Sequence, residues 1–447
     1  MKYFGTDGIR DLADTGLGPE FVLQIGKSIG EYLKETYPQE ELHVCIGRDP
    51  RPSGERIQQN LVDGLNLVGV HCHLFGIVPT PAVSRLCKAK QYHLGIVISA
   101  SHNPAPYNGI KLFQRNGEKA SEEAEERIEH LIDCPWLIQE TPGFPGTSIA
   151  QPEAKDEYIS SIVHLYSFLH LSSVSILVDC ANGATVQATP EVLQQLGANV
   201  TAICTEQDGY SINQNCGSLH PETIQSFLKK TKKTYDFIFS HDGDGDRVLA
   251  FTPEGELIDG DHMITTVALS RKQKSTLSQK TVVGTVMTNE GIIEFLKQNE
   301  IDFHRSDVGD KYVYRDMIRL SAQIGGEQSG HLLILDKSPT GDGLVSALEY
   351  IHAITSLSKS IQETIRKIPM YAQRLTNLHV HDKNRILSSP RFRDTMEQIQ
   401  IQYPEARMVV RPSGTEPLFR VLVETPTIEK TMDLTQKIVS FIEHLED

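Results

Sequence analysis

Asp242-Gly243-Asp244-Gly245-Asp246-Arg247 is the stretch on which the reading of this chain turns. Three carboxylates recur at every second position, so an extended loop sets them on one side of the backbone. Like charges held that close raise one another's pKa, and a cation between them removes the conflict. Gly243 and Gly245 let the chain curl around a small ion. A hard divalent cation with oxygen ligands, Mg²⁺ first, suits the donor set. The preceding run Tyr235-Asp236-Phe237-Ile238-Phe239-Ser240 reads as a strand, which puts the loop at a strand end, where open α/β sheets carry their sites. A calcium EF-hand loop needs Gly at its sixth place and Glu at its twelfth; Arg247 and Pro253 stand there, and that reading fails. The plain alternative is an Asp/Gly surface turn, which has no need of three carboxylates in phase.

Working outward, the segment before the Asp loop alternates strand and helix. Ser175-Ile176-Leu177-Val178-Asp179 is a strand, 186–196 a helix, 199–204 a strand and 221–230 a helix. The same alternation starts the chain. Phe21, Ile25, Ile29 and Leu33 recur at a spacing of four and predict a helix over 21–36. Strands follow at His43–Gly47, 70–75 and Leu94–Ile98, with helices at 54–67 and 82–89 between them. These are open α/β units. Residues 139–152, rich in Pro, Gly, Ser and Thr, read as a linker.

The strand Leu94–Ile98 runs into Ser99-Ala100-Ser101-His102-Asn103-Pro104. A hydroxyl beside a histidine suggests covalent catalysis, although neither GxSxG nor a sequence-local triad is present. A capped turn is the bland alternative, and adjacent side chains need not meet. Lys111 follows closely, before Leu112-Phe113, and Gly5–Arg10 forms a tight turn presenting Asp7 and Arg10.

A third unit starts at Leu249, with a helix opened by Gly260-Asp261, a strand at 281–285 and helices at 290–297, 312–319 and 344–355. Its loop Gly325-Gly326-Glu327-Gln328-Ser329-Gly330-His331 carries an acid, a hydroxyl and a histidine able to bond a polyhydroxy ligand; a flexible β-turn is the alternative. In the last unit, a helix at 390–401 and strands at 407–410 and 419–424 surround Arg411-Pro412-Ser413-Gly414-Thr415-Glu416. Backbone N–H groups, hydroxyls and a guanidinium fork on one Gly turn can grip phosphate, with Arg420 adding charge. An ordinary hairpin turn is the competing reading, and the P-loop pattern is absent. A helix over 430–445 follows.

At 447 residues the chain is too long for one core, and two to four domains are expected. A net charge of −15 argues against a general nucleic-acid binder and confines any phosphate site to a local basic pocket. No apolar run reaches membrane-spanning length, and Met1–Thr6 lacks a signal-peptide core. Seven scattered cysteines without a CxxC pair suggest free thiols in a reducing cytosol, so a cytoplasmic location is expected. The glutamates of 121–132 form a solvated helix face.

Four loops, in order and across essentially the whole chain, resemble those of the α-D-phosphohexomutases. Ser99–Pro104 is similar to their phosphoserine loop, Asp242–Arg247 to their metal loop, Gly326–His331 to their sugar loop and Arg411–Glu416 to their phosphate loop. Within the family, the Gly-Glu-Gln-Ser-Gly-His form of the sugar loop points to the group acting on hexosamine phosphates. Asp11, where that group has Gly, and Tyr107, where Asp is common, depart from its pattern.

The resemblance implies a heart-shaped molecule of three α/β domains with mixed sheets and a C-terminal α+β domain of TATA-box-binding-protein-like class. Their expected bounds are 1–150, 151–248, 249–365 and 366–447. It implies interconversion of glucosamine 6-phosphate and glucosamine 1-phosphate through a phosphoserine at Ser101, with a sugar bisphosphate as activator or intermediate. Mg²⁺ is expected on Asp242, Asp244, Asp246 and an oxygen carried by Ser101. Lys111 is the expected base, its pKa lowered by enclosure beside Arg10 and Arg247, with Arg10 and Arg247 near the moving phosphoryl group and His102 as an alternative helper. Glu327, Ser329 and His331 are expected to contact the sugar, and Arg411, Ser413, Gly414, Thr415 and Arg420 the distal phosphate. A monomer or homodimer, with no nucleic-acid or membrane partner, completes the expectation. The alternatives are a glucose- or mannose-phosphate mutase of the same family, or a phosphosugar-binding protein without turnover.

Overall fold

The computed structural model describes residues 2–5, 7–141, 143, 145–380, 383–412 and 418–446. These fall into two compact units: residues up to 286 with 304–362, and 287–303 with those from 363 onward. The expected Ser413, Gly414 and Thr415 lie outside the described residues.

The first unit holds three sheets. In the first, β1 (Phe4–Gly5), β2 (Gly8–Leu12), β3 (His43–Arg48), β4 (His71–Ile77), β5 (Leu94–Ile98), β6 (Tyr107–Gln114) and β7 (Ser148–Ala150) are ordered β1-β2-β6-β5-β3-β4-β7. β3 is parallel to β4 and β5, whereas β6 is antiparallel to β5 and β2. The helix Pro19–Thr36 starts on a proline, whose missing N–H costs nothing there. It buries Val22, Ile25, Ile29 and Leu33 in one core with Ile57, Leu61 and Leu65 of the helix Gly54–Leu67 and with Val44, Ile46, Ile96 and Ile110 of the sheet. The stretch expected as a pure linker contains β7, which adds to the edge of β4 in parallel. Three residues are too few for a two-residue period to show among Pro, Gly and Ser.

The second sheet runs β12-β11-β10-β8-β9, with β8 (Ser175–Asp179), β9 (Asn199–Ile203), β10 (Phe237–His241), β11 (Val248–Phe251) and β12 (Leu257–Ile258). β10 lies parallel to β8 and antiparallel to β11, with His241 opposite Val248. Asp242–Arg247 is therefore a hairpin loop at the sheet's end. The sheet continues through β12 to residue 258, past the expected boundary at 248, because the chain folds straight back on itself after the Asp loop. The third sheet has the order β14-β13-β15-β16, with β13 (Thr281–Thr285), β14 (Asp302–Ser306), β15 (Ile324–Gly326) and β16 (Leu332–Ile334).

In the second unit, β17 (Ala372–His379), β18 (Arg407–Pro412) and β19 (Leu418–Thr425) form an antiparallel sheet ordered β17-β19-β18. The helices Pro390–Gln402 and Ile428–Glu446 bury Phe392, Ile399, Leu434, Ile438 and Ile442 with Phe419, Val421 and Val423 of the sheet. The helix Glu290–Gln298 belongs to this unit: Asn289 at its cap donates to Tyr371 O at 3.0 Å and accepts from Tyr371 N at 2.9 Å. All seven cysteines are free thiols. Among the described residues no helix is long and apolar enough to cross a membrane.

Candidate active site

Ser101 lies just past the end of β5 with φ of +51°, a left-handed conformation that non-glycine residues seldom adopt. Its surroundings impose that bend. The Arg51 guanidinium, wholly buried, donates to Ser101 O at 2.9 Å, Asn103 O at 2.7 Å, Pro104 O at 2.5 Å and Tyr107 O at 3.0 Å. Its Nε donates to Asp49 Oδ2 at 2.8 Å, and the same carboxylate accepts from Ser99 Oγ at 2.6 Å. Asn213, from a loop of the second sheet, donates to Ser101 O at 2.8 Å and Asn103 O at 3.1 Å. Sequence reading passed over Arg51, Asp49 and Asn213. The available signals were Arg48-Asp49-Pro50-Arg51 at a strand end and Asn213 in the polar loop Gly209–His220, and charged or polar residues are commonplace in both settings.

This clamp turns the Ser101 hydroxyl onto the Asp loop: Oγ donates to Asp242 Oδ2 at 2.6 Å, both groups buried. Asp242 Oδ1 accepts from Gly245 N at 3.1 Å and Arg247 N at 3.2 Å. Asp244 is fixed by Thr80, whose Oγ1 donates to Asp244 Oδ2 at 2.6 Å. Lys111, 2% exposed on β6, places Nζ 2.8 Å from Asp244 Oδ2, 2.9 Å from Asp246 Oδ2 and 2.9 Å from Asp7 Oδ2. The carboxylates of Asp242, Asp244 and Asp246 come within 4.8 Å of one another. Asp244 Oδ1 and Asp246 Oδ1 are buried with no hydrogen-bond donor among the described residues. Burial, Asp246 and Asp244 push Asp242 well above the usual carboxylate range. Orphaned hard oxygens and mutual repulsion are what a divalent cation relieves, so this donor set fits Mg²⁺.

At Gly243 the Asp loop presses closely against the Ser101 backbone and Asn213. A Cβ on Gly243 would come within 2.7 Å of both Ser101 O and Asn213 Nδ2. Gly243→Ala is therefore expected to force the Asp loop off the Ser101 loop. A displacement near 1 Å costs on the order of 100-fold in turnover, which steady-state kinetics on the folded variant would read.

Lys111 corrects an expectation. Burial pulls its pKa down, but Asp244, Asp246 and Asp7 outweigh burial and the repulsion of Arg10, and the ammonium is held well above the usual lysine value. His102 does meet its neighbour, with Nδ1 3.3 Å from Ser101 Oγ. Burial first, then Arg247 and Arg10, lowers its pKa to about 4, so the ring is neutral at pH 7. Arg10 is paired with Asp7, and Arg247 Nε lies 3.8 Å from Asp246 Oδ1.

On the third sheet, Glu327–Gly330 makes a turn between β15 and β16, closed by Gly330 N donating to Glu327 O at 3.1 Å. Glu327 Oε1 accepts from Gly309 N at 3.1 Å. His331 is buried, with Nδ1 3.7 Å from Asp246 Oδ1 and Nε2 3.2 Å from Asp310 Oδ2. Its ring thus faces the Asp loop. In the second unit, Arg411 and Arg420 stand directly opposite each other across β18 and β19. A second set of ligating atoms, on Asp179, Cys204 and Cys216, is also close-packed. The Asp179 oxygens already accept from Ala181 N at 2.9 Å and Gly217 N at 2.8 Å, which makes that carboxylate a loop anchor.

Models of the phosphoglucomutase/phosphomannomutase family match the chain in order: alpha/beta/alpha domain I over residues 1–134, domain II over 156–255, domain III over 259–371 and the C-terminal domain over 375–440. The phosphoglucosamine mutase of Thermotoga neapolitana is 38% identical over 99% of each chain. Among solved structures, a family protein from Burkholderia thailandensis superposes with a TM-score of 0.83 at 19% identity, over 98% of this chain and 97% of that one. The N-acetylphosphoglucosamine mutase of Aspergillus fumigatus, solved with GlcNAc-6P and magnesium, gives 0.73 at 17% identity, over 100% and 96%. Four domain models in sequence, and a relative that similar from end to end, place this chain in the phosphoglucomutase/phosphomannomutase family.

Proposed function

We propose that this chain interconverts glucosamine 6-phosphate and glucosamine 1-phosphate, carrying the phosphoryl group on Ser101 and passing through a bisphosphorylated sugar. The observation that carries this reading is the buried Ser101 hydroxyl set 2.6 Å from Asp242 at the head of three convergent carboxylates. The phosphorylated Ser101 donates to the free hydroxyl of the monophosphosugar: the bond from Ser101 Oγ to phosphorus breaks as the sugar oxygen forms its own. The bisphosphate turns end for end, and its other phosphate returns to Ser101. Asp242, Asp244 and Asp246, with an oxygen on Ser101, would hold a divalent cation such as Mg²⁺, which supplies positive charge beside the transferring group.

The chain's own groups do the rest. Arg10 and Arg247 add fixed positive charge at the same place. Lys111 takes the proton of the attacking hydroxyl. With the charge of Asp244 and Asp246 offset, burial and Arg10 favour the neutral amine against the one carboxylate left on it, Asp7. When Ser101 Oγ is the leaving group it has no hydrogen to give, and the neutral His102 ring, with its hydrogen on Nδ1, donates to the charge developing on that oxygen. Glu327 and Ser329 read sugar hydroxyls, and His331 steadies Asp246 beside them. Arg411 and Arg420, with Ser413, Gly414 and Thr415, hold the non-reacting phosphate. Like charges directly opposite on paired strands are unfavourable, and a shared anion turns that cost into a binding site.

Turnover of glucosamine 6-phosphate, glucose 6-phosphate and mannose 6-phosphate, each with Mg²⁺ and a trace of the matching bisphosphate, tests the substrate. A site that hydrogen-bonds the 2-amino group should favour the aminosugar by about 10-fold or more in kcat/KM. Equal or better use of glucose 6-phosphate would overturn the assignment.

A further inference from the structure

Lys119 plays no part in the chemistry just described, yet it is built into the same cluster. It follows the Gly117 turn after β6, and its Nζ contacts both Asp7 Oδ1 and Asp310 Oδ2. Asp7 presents its other oxygen to Lys111 Nζ at 2.9 Å. Asp310 Oδ2 lies 3.2 Å from His331 Nε2, and His331 Nδ1 lies 3.7 Å from Asp246 Oδ1. Asp246 Oδ2 returns to Lys111 Nζ at 2.9 Å. The contacts close a ring: Lys111, Asp7, Lys119, Asp310, His331, Asp246 and back to Lys111. Basic and acidic groups alternate throughout. The members come from all three sheets of the unit, and the ring passes through both Lys111 and Asp246.

We propose that Lys119 is a positioning residue: by holding Asp7 and Asp310 together it fixes Lys111 and His331 against the Asp loop. The proposal rests on the reading of Lys111 as the group serving the attacking hydroxyl. Asp7 has three cations on it, Lys119 through Oδ1 and both Lys111 and Arg10 through Oδ2. Without Lys119, a buried carboxylate loses one of its three cations, the one on Oδ1, and recruits the remaining two more strongly. Lys111 and Arg10 are the cations within reach. Lys111 then moves away from Asp244 and Asp246, where it serves the reaction. On the other side, Asp310 keeps His331 as its cation among the described residues and draws that ring away from Asp246. Among the described residues, Lys119 makes its ion pairs with Asp7 and Asp310 and meets Asp246 only as a more distant charge, so its influence runs chiefly through its two carboxylate partners.

A salt bridge that merely ties elements together predicts a different result from one that aims a reacting group. The test compares Lys119→Met, Lys119→Arg and Asp310→Asn in the full-length protein, at a temperature where circular dichroism shows each folded. Positioning predicts a fall in kcat on the order of 100-fold for Lys119→Met, as for a reacting group displaced by about 1 Å, with KM within about threefold. Lys119→Arg, which keeps the charge and the reach, should recover about 10-fold of that loss. Asp310→Asn removes the same contact from the other side and should lower kcat with little change in KM, so a variant that fails to fold leaves the prediction exposed. Lys119 and Asp310 line a cavity of about 410 Å³; as a control, Lys311 lines it too but pairs with Glu122 at 3.0 Å, and Lys311→Met should leave kcat within about twofold. A folded Lys119→Met with wild-type kcat, or a loss confined to KM, would overturn the positioning role. The wild-type chain, run alongside on the three hexose phosphates, separates the two readings. An inactive wild type sinks the mutase reading, whereas an active wild type matched by Lys119→Met sinks the positioning role alone.

Discussion

Ser101→Ala is expected to lower kcat by on the order of 10,000-fold or more, the scale set by removing a nucleophile from its site. The missing oxygen is the one that carries the phosphoryl group, and among the described residues no other hydroxyl is aimed at Asp242 in the same way. Thr80 Oγ1 comes close, but it donates to Asp244 Oδ2 at 2.6 Å from within the fixed frame. The fold should survive the exchange. Alanine meets the same left-handed backbone as serine, and Asp242 keeps two backbone donors, Gly245 N and Arg247 N. The stability change should stay near the worth of one hydrogen bond, about 1 kcal/mol. Kinetics and thermal denaturation on one preparation would separate a lost carrier from a lost fold. Residual turnover within about 100-fold of wild type would mean that the phosphoryl group travels by another route.

The largest effect on stability is expected at Arg51. Its guanidinium is buried and spends its donors on Asp49 and on the four carbonyls that shape the Ser101 loop. Arg51→Met would leave Asp49 charged and buried with no cation, and breaking a buried pair from one side costs about 3–5 kcal/mol. Burial already pushes the Asp49 carboxyl above its ordinary value even with Arg51 beside it. Turnover should fall as well, because the loop carbonyls lose their common donor and the Ser101 bend loses its support. The double variant Asp49→Asn/Arg51→Met should unfold later in urea than Arg51→Met alone, since it leaves no unpaired charge. Urea titration of the three proteins, followed by circular dichroism, checks the ordering. A single variant as stable as the double would refute the buried-charge explanation.

Much of this site was legible in the chain itself. Three acids in phase, with glycines between them, announced the Asp loop, and β10 and β11 close around it as a hairpin. Ser101 stood out as a hydroxyl at the end of a fully apolar strand, and the structure brings it to the predicted neighbour, 141 residues away in sequence. Helices such as Pro19–Thr36 followed from a spacing of four in their apolar residues. What escaped has a common physical cause. Periodicity reports which face of an element is buried but not which distant side chain meets it. Arg51 with the Ser101 loop, and Lys119 with Asp310, are pairings across 50 and 191 residues that no local pattern encodes. The direction of the Lys111 shift was misjudged for the same reason. Arg10 and Arg247 were foreseen as its neighbours, but the three carboxylates that outweigh them were not. The short strand β7 and the antiparallel return of β11 and β12 lie below the length at which alternation can be recognised.

The most direct test of the central claim is to follow the phosphate itself. The protein would be incubated with Mg²⁺ and a hexosamine bisphosphate labelled with heavy oxygen in its phosphates, then acid-quenched and mapped by peptide mass spectrometry. The account predicts labelled phosphate on the peptide bearing Ser101, and its transfer to added glucosamine 6-phosphate on a chase. Continued interconversion of the two monophosphates with no labelled phosphate ever reaching Ser101 would contradict it.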